Sequence, residues 1–256
     1  MRRVWITLTL FFVGALSSAL CAQSQATSQT PEWSYEGANG PEHWGELDAA
    51  NAACASGKEQ SPIDIRDAKK GALPRLQFEY KSTPLKIVNN GHTVRVNFAP
   101  GNGNFLIVGD KRYELVQFHF HRPSEEQIKG KQFAMVAHLV HKADDGKLAV
   151  VAVLLKAGSA NMTLQQIWDH MPMTEGPEQQ ISDVEFNPSG LLPANAAYFT
   201  FAGSLTTPPC TEGLTWFVLR TPTDVSHEQI DAFAKLYPHN ARPIQPLNGR
   251  VVTGSR

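Results

Sequence analysis

The chain has 256 residues, a formal net charge of -1 and 18% charged residues, and 42% of its residues are hydrophobic. This composition is typical of a globular protein with a sizeable core. Because the sequence contains no long run of charges, it gives no reason to expect a nucleic acid or an anionic membrane as a partner.

The N-terminal 1–22 segment has the pattern of a secretory signal peptide. Two arginines precede an apolar run over 4–20, and the small residue Ala22 marks a plausible cleavage point. A membrane anchor is the alternative, because the apolar run is close to the length that spans a bilayer; lipidation at Cys21 is a further, weaker one. We predict a signal peptide, then a flexible polar leader at 23–31, and no stable membrane anchor in the mature protein.

Two cysteines, Cys54 and Cys210, remain after the predicted signal peptide is removed. An even number of cysteines in an exported protein predicts one disulfide. In the chain-entropy description, a bridge across so long a loop stabilises the fold by about 3–5 kcal/mol at most. Two free, buried thiols are the alternative.

Short alternating or apolar runs dominate the rest of the chain, and these patterns predict strands. Residues 144–147 form a turn sequence between two of the runs and predict a hairpin. Helical patterns are sparse: one covers 164–170, and another covers 226–236, where Ser226 and Gln229 have the spacing of a capping box. We therefore predict one mainly β domain over 32–253, with a large central, twisted, mostly antiparallel β-sheet and short peripheral helices. The predicted strands are 94–98, 113–121, 135–141, 148–155 and 214–219.

Polar and aromatic residues alternate strictly over 117–121, in the sequence QFHFH. Because successive side chains of a strand point to opposite faces, Gln117, His119 and His121 share one face. His138, in the next predicted strand, is the best candidate for a third histidine. Three protein ligands and one open position for water are typical of a catalytic zinc site, and Gln117 would support a ligand through a hydrogen bond. Two histidines on a strand are by themselves more often structural or solvated than metal-bound.

A series of sequence blocks, in order along the chain, carries a specific resemblance to a known family. The blocks are WSY (33–35), GPEHW (40–44), QSPIDI (60–65), NNGH (89–92), QFHFH (117–121), HLVH (138–141), GSLTTPPC (203–210) and RPIQPL (242–247). Together they resemble the α-class carbonic anhydrases of the exported bacterial type, from Trp33 to about Val251. The resemblance implies the α-carbonic anhydrase fold. It also implies a periplasmic zinc enzyme that interconverts carbon dioxide and bicarbonate.

The resemblance also implies roles for individual residues near the metal. His119, His121 and His138 match the three ligands of Zn²⁺, and a zinc-bound hydroxide would attack carbon dioxide. Thr206 matches the residue that accepts a hydrogen bond from this hydroxide and donates one to a carboxylate, here Glu125. This pair would orient the nucleophile toward its substrate.

Further residues match the proton path, the pocket and the disulfide of the family. His92 matches the histidine that carries the proton to buffer, a task suited to an imidazole that titrates near neutral pH. Tyr35 and Asn90 match residues that order the intervening water, and Cys54 and Cys210 match the pair that is joined in secreted members. The resemblance implies a substrate pocket that is lined by Val140, Val150, Leu205, Thr207 and Trp216. Without the resemblance, the apolar residues of this pocket would be interpreted as core packing.

Three departures from the family pattern concern the surroundings of the site. The family has a glutamate two residues before the third histidine, where this chain has Val136, and Glu126 stands where the family often has a histidine. We predict that Glu126 supplies the missing carboxylate to His138; the alternative is that Glu126 faces solvent and zinc binds less tightly. Arg95 stands where a polar amide is usual, and we expect its charge to lower the pKa of His92.

Two other functions are compatible with the fold that the resemblance implies. One is a binding protein without catalysis, although such members typically lose a zinc histidine and all three are present here. The other is a dedicated zinc esterase, against which a narrow apolar pocket would argue. The expected partner is the small-molecule substrate, and the sequence is compatible with a monomer or a homodimer.

Overall fold

The structure is a computed structural model that describes residues 32–255 together with Met1. The predicted signal peptide after Met1 and the predicted leader lie outside the described residues. Within the described part of the chain, no helix combines the length and the apolar character that a membrane crossing requires.

Strands dominate the described residues, which confirms the mainly β class, and the helices are short. The helices are α1 (Trp44–Leu47), α2 (Ala53–Ser56), α3 (Met162–Trp168) and α4 (His227–Ala234), with 3₁₀ turns at Gly37–Asn39, Ala49–Asn51 and Pro188–Leu191. The strands are β1 (Asp64–Ile65), β2 (Lys69–Lys70), β3 (Leu76–Glu79), β4 (Thr83–Asn89), β5 (Val94–Asn97), β6 (Phe105–Val108), β7 (Lys111–His121), β8 (Gln127–Ile128), β9 (Met135–Lys142), β10 (Leu148–Ala157), β11 (Gln179–Phe186), β12 (Tyr198–Ser204), β13 (Glu212–Leu219), β14 (Thr223–Val225) and β15 (Thr253–Gly254).

One large mixed sheet contains 13 of the described strands, in the order β11-β4-β5-β7-β9-β10-β13-β12-β15-β2 along its main path. Strand β14 also pairs with β10, and the β3–β6 pair joins at β7. Most neighbours are antiparallel, as predicted, but β10 runs parallel to β13 and β14, and β15 runs parallel to β2. Strands β1 and β8 form a separate parallel pair.

The predicted strands and helices are present, with ends that differ by one or two residues. The hairpin between β9 and β10 closes through a backbone hydrogen bond of 2.9 Å from Ala143 N to Lys147 O. Helix α4 begins with the predicted capping box of Ser226 and Gln229. Helix α3 begins two residues earlier than predicted, because the side chain of Asn161 caps it by accepting a hydrogen bond from Leu164 N.

The alternation along β7 separates the core from the site. Phe118 and Phe120 are fully buried on one face, where Phe120 packs against Trp168 of α3 with ring centroids 4.7 Å apart. Burying each such side chain contributes about 1.5–3 kcal/mol. Because this face anchors β7 to the core, His119 and His121 are directed to the opposite face of the central strands.

Candidate metal centre

Strands β7 and β9 bring three histidines together at the middle of the sheet. His119 lies directly across from His138 in the antiparallel pair, and His121 lies two residues further along β7 on the same face. One ring nitrogen of each histidine lies within 4.8 Å of the other two, so the three form a group that can hold a metal ion. Strand parity placed His119 and His121 together, and the β7–β9 register adds His138.

Hydrogen bonds to the outer nitrogens orient all three rings. Nδ1 of His119 lies 2.8 Å from Oε1 of Gln117, and Nδ1 of His121 lies 2.7 Å from the main-chain oxygen of Asn240. Nε2 of His138 lies 3.1 Å from a carboxylate oxygen of Glu126. Each of these oxygens accepts a hydrogen bond, so the ring nitrogen that faces it carries the proton. The opposite nitrogens therefore keep their lone pairs for a metal: Nε2 of His119, Nε2 of His121 and Nδ1 of His138.

The free nitrogens and the local charges fit a divalent cation. Within the described residues, Nε2 of His121 is buried and has no hydrogen-bond partner. Burial, with the neighbouring histidines as a second cause, holds the pKa of His119 and His121 well below its usual value. Both rings are therefore neutral at physiological pH, which is the form that binds a metal. Two buried carboxyl groups, those of Glu125 and Glu126, lie beside the histidines.

Glu126 places its carboxylate beside His138, where Val136 cannot supply one. Its side chain is fully buried, and both carboxylate oxygens lie 3.1 Å from Nε2 of His138. Val136, two residues before His138 on β9, is also fully buried and lies across from His121. The contact expected from the sequence is present: the carboxylate reaches His138 from the segment after β7 rather than from β9, and the alternative of a solvent-facing Glu126 is wrong.

The second carboxylate, Glu125, lies between the histidines and two further groups. Its Oε2 is 3.5 Å from Nε2 of His121 and 3.7 Å from Nδ1 of His138, while its Oε1 accepts a hydrogen bond of 2.8 Å from Arg242 N. Burial raises the pKa of Glu125 to about 7, against the opposing effect of His138. Within the described residues, Oε2 of Glu125 has no hydrogen-bond partner, so the expected hydrogen bond from Thr206 stays a prediction.

An apolar row runs across the sheet beside the histidines. Val140 of β9 lies across from Val150 of β10, which lies across from Trp216 of β13. All three are buried in one hydrophobic cluster, and Leu205 packs against it. The Trp216 ring also contacts His138 edge to face, with centroids 4.9 Å apart. The expected wall residues therefore form one continuous surface, and Thr207 follows Thr206 in the adjacent loop.

The disulfide between Cys54 and Cys210 is present, which confirms the predicted pairing. Cys210 closes a turn by donating a backbone hydrogen bond of 2.9 Å to Thr207 O. The bridge is buried with Trp44 and packs against Tyr35. The disulfide thereby links the loop that carries Thr206 to helix α2, which contains Cys54.

His92 lies in the turn between β4 and β5. The side-chain oxygen of Asn90 accepts hydrogen bonds from His92 N and Thr93 N, at 3.2 and 3.0 Å, so Asn90 shapes this turn. Burial lowers the pKa of His92, and Arg95, which we expected to lower it, is not among the causes. The charge of Arg95 instead contributes to lowering the pKa of His119, which it faces across the β5–β7 pair.

Two contributors to the site were not predicted from the sequence. Asn240 accepts from His121 through its main chain, and its side chain binds the main chain of Arg122, His92 and Phe120. The ring of Trp33 stacks on His92, with centroids 3.7 Å apart. Both contacts join segments that are distant in the sequence, and neither residue belongs to a local pattern that indicates such a role.

A group of three histidines that can hold a metal ion lies on the face of a large mixed sheet, beside an apolar wall and two buried carboxylates. This arrangement is typical of metal-dependent enzymes that act on a small substrate. The profile of the eukaryotic-type carbonic anhydrase family matches residues 39–256. The chain therefore belongs to the eukaryotic-type (α) carbonic anhydrase family.

Individual relatives agree with this assignment. The chain is 43% identical to a carbonic anhydrase of Nostoc sp. over 256 residues, covering 98% of this chain and 96% of the relative. It is 46% identical to a carbonic anhydrase of Neisseria gonorrhoeae over 221 residues, covering 86% of each chain. The solved α-carbonic anhydrase of Thermovibrio ammonificans, in complex with the inhibitor sulfanilamide, superposes with a TM-score of 0.83 at 42% identity, covering 87% of this chain and 98% of the relative.

Proposed function

We propose that this chain is a zinc-dependent carbonic anhydrase in which His119, His121 and His138 hold the ion. The observation that carries the proposal is the convergence of three free ring nitrogens within 4.8 Å of one another, each fixed by a partner on its far side. Zinc, when bound, acidifies a water molecule so that hydroxide is available as a nucleophile at neutral pH.

The surrounding residues orient the nucleophile and exclude competing water. In the proposed reaction, the Thr206 hydroxyl donates to Oε2 of Glu125, which has no other hydrogen-bond partner among the described residues. The Thr206 oxygen is then left to accept a hydrogen bond from the nucleophile. Glu125 keeps this orientation because Arg242 N fixes its other oxygen. The row of Val140, Val150 and Trp216 offers carbon dioxide an apolar surface, because the single polar group of the row, the indole N–H, is already donated to Ser204 O. Water is therefore held there only weakly.

His92 moves the product proton out of the site. An imidazole is suited to accept a proton through intervening water and to release it to buffer, because its ordinary pKa lies near neutral pH. Tyr35 contributes at the inner end of this path: its pKa is raised by burial and then by Glu125, so its neutral hydroxyl can take part in ordering water.

We also propose that the protein acts in an exported, periplasmic compartment. The signal-peptide pattern of the sequence and the disulfide support this, because a stable disulfide is typical of oxidising compartments. Fractionation of cells that express the full chain tests the proposal: the mature protein is expected in the periplasmic extract, and recovery in the cytoplasm would contradict it.

Rates of carbon dioxide hydration, measured by stopped flow for His92→Ala at high buffer concentration, test the division of labour in the site. The expected result is a reduced kcat that added imidazole restores, with an unchanged kcat/KM, because the proton leaves after the chemical step. His170→Ala, which replaces a histidine that follows α3, is the matched control. Equal kcat values for wild type and His92→Ala would contradict the assigned shuttle.

A further inference from the structure

The N-terminal residues Glu32 and Trp33 surround the imidazole of His92. The indole of Trp33 covers one face of the ring, with centroids 3.7 Å apart and planes inclined by 14°. Oε1 of Glu32 lies 3.7 Å from Nε2 of His92. The Glu32 side chain is exposed, whereas that of His92 is mostly buried.

The contacts of Trp33 fix the place where the imidazole rests. The Trp33 ring packs edge to face against both Tyr35 and Trp44, with centroids 5.3 and 5.1 Å away. Trp44 is fully buried and donates a hydrogen bond of 2.8 Å to Ser34 O. Trp33 is thus part of the aromatic cluster around the disulfide and offers His92 a fixed surface.

We propose that Glu32 is a positioning residue for His92, whose carboxylate holds the imidazole against Trp33 through Nε2 and stabilises the protonated ring. The inference rests on the proposed function of His92 as the proton shuttle. Burial disfavours the charged imidazolium, and a carboxylate at ion-pair distance offsets that cost. A shuttle that is too weak a base accepts the proton poorly, so this offset favours proton transfer.

Other charged and titratable groups also face this ring. The carboxylate of Glu175 packs against Gly91, the residue before His92, and like Glu32 it favours the protonated imidazole. The hydroxyl of Tyr237 is also nearby, but burial raises its pKa to about 12, so it is neutral. Glu32 is distinguished by its contact with Nε2, which makes it the carboxylate that also fixes the position of the ring.

An NMR titration of the zinc-loaded mature chain measures the effect without relying on activity. Histidine-selective ¹⁵N labelling reports the imidazoles, and His92→Ala assigns the His92 signal. In Glu32→Gln, the pKa of His92 is expected to fall by about 0.2 to 0.7 of a pH unit, the range that exposed ion pairs produce. Glu32→Asp is expected to retain part of the wild-type value.

The matched control is Glu185→Gln, which removes an exposed carboxylate across from Pro84, at the opposite end of β4 from the His92 turn. It is expected to leave the His92 titration unchanged. In stopped flow at high buffer concentration, Glu32→Gln should lower kcat by at most about fivefold, the factor that matches the pKa shift. Its kcat/KM should not change, because Glu32 does not contact the metal-facing nitrogens.

The two levels of the proposal fail in different ways. A His92 pKa that is the same in wild type and Glu32→Gln would overturn the role of Glu32 while leaving the enzyme reaction intact. A wild-type chain that binds zinc but does not hydrate carbon dioxide would overturn the proposed function and, with it, any role of Glu32 in proton transfer. A lowered pKa together with a lowered kcat supports both.

Discussion

Replacing the carboxylate beside His138 tests how the site tolerates Val136. Glu126→Gln keeps the size of the side chain but removes its charge at a fully buried position, 3.1 Å from Nε2 of His138. The partner of a metal-binding histidine typically changes metal affinity by 10–100-fold. We therefore expect zinc to bind about 10–100-fold more weakly, a loss of about 1.4–2.7 kcal/mol.

The measurement is a competition titration of zinc against a chelator of known affinity. Glu126→Gln combined with Val136→Glu moves the carboxylate to β9, two residues before His138 and on the same face. This double variant is expected to regain at least half of the lost binding free energy. Glu185→Gln controls for the loss of one negative charge. A Glu126→Gln protein that binds zinc within twofold of wild type would refute the idea that the carboxylate has been relocated.

Three further changes probe other parts of the site. Thr206→Val removes the hydroxyl that orients the nucleophile and should lower kcat/KM for carbon dioxide about 100-fold at unchanged zinc content; a loss below threefold would contradict its role. Val150→Trp fills the apolar wall and should lower kcat/KM while zinc titration remains normal, and full activity in this variant would place the substrate elsewhere. Replacing Cys54 and Cys210 by serine should lower the free energy of unfolding in urea by at most about 5 kcal/mol. An unchanged urea midpoint would contradict a stabilising bridge.

Local patterns were sufficient to predict the class of the fold and the face that carries the site. The alternation over 117–121 placed His119 and His121 together because a strand has a period of two residues. The capping box of Ser226 and Gln229 was also predicted from a local pattern, because its two residues are only three positions apart.

Contacts between distant segments were harder to predict. His138 was a candidate because it lies in the next predicted strand, but only the β7–β9 register places it across from His119. The parallel pairing of β10 with β13 depends on chain connections that carry no local pattern. The stacking of Trp33 on His92 joins residues that are far apart in the sequence through a tertiary contact. The contact of Glu126 with His138 was predicted only because Val136 replaces the glutamate of the family, so another carboxylate had to be sought.

The central claim is that three histidines hold zinc for the hydration of carbon dioxide. It is tested most directly by stopped-flow hydration with the mature chain, Cys54–Cys210 oxidised, in zinc-loaded and chelator-treated forms. The expected result is rapid turnover that requires one zinc ion per chain, is lost in the chelated form, returns when zinc is added, and is blocked by a sulfonamide. A chain that binds one zinc ion per molecule through these histidines and still does not hydrate carbon dioxide would contradict the claim.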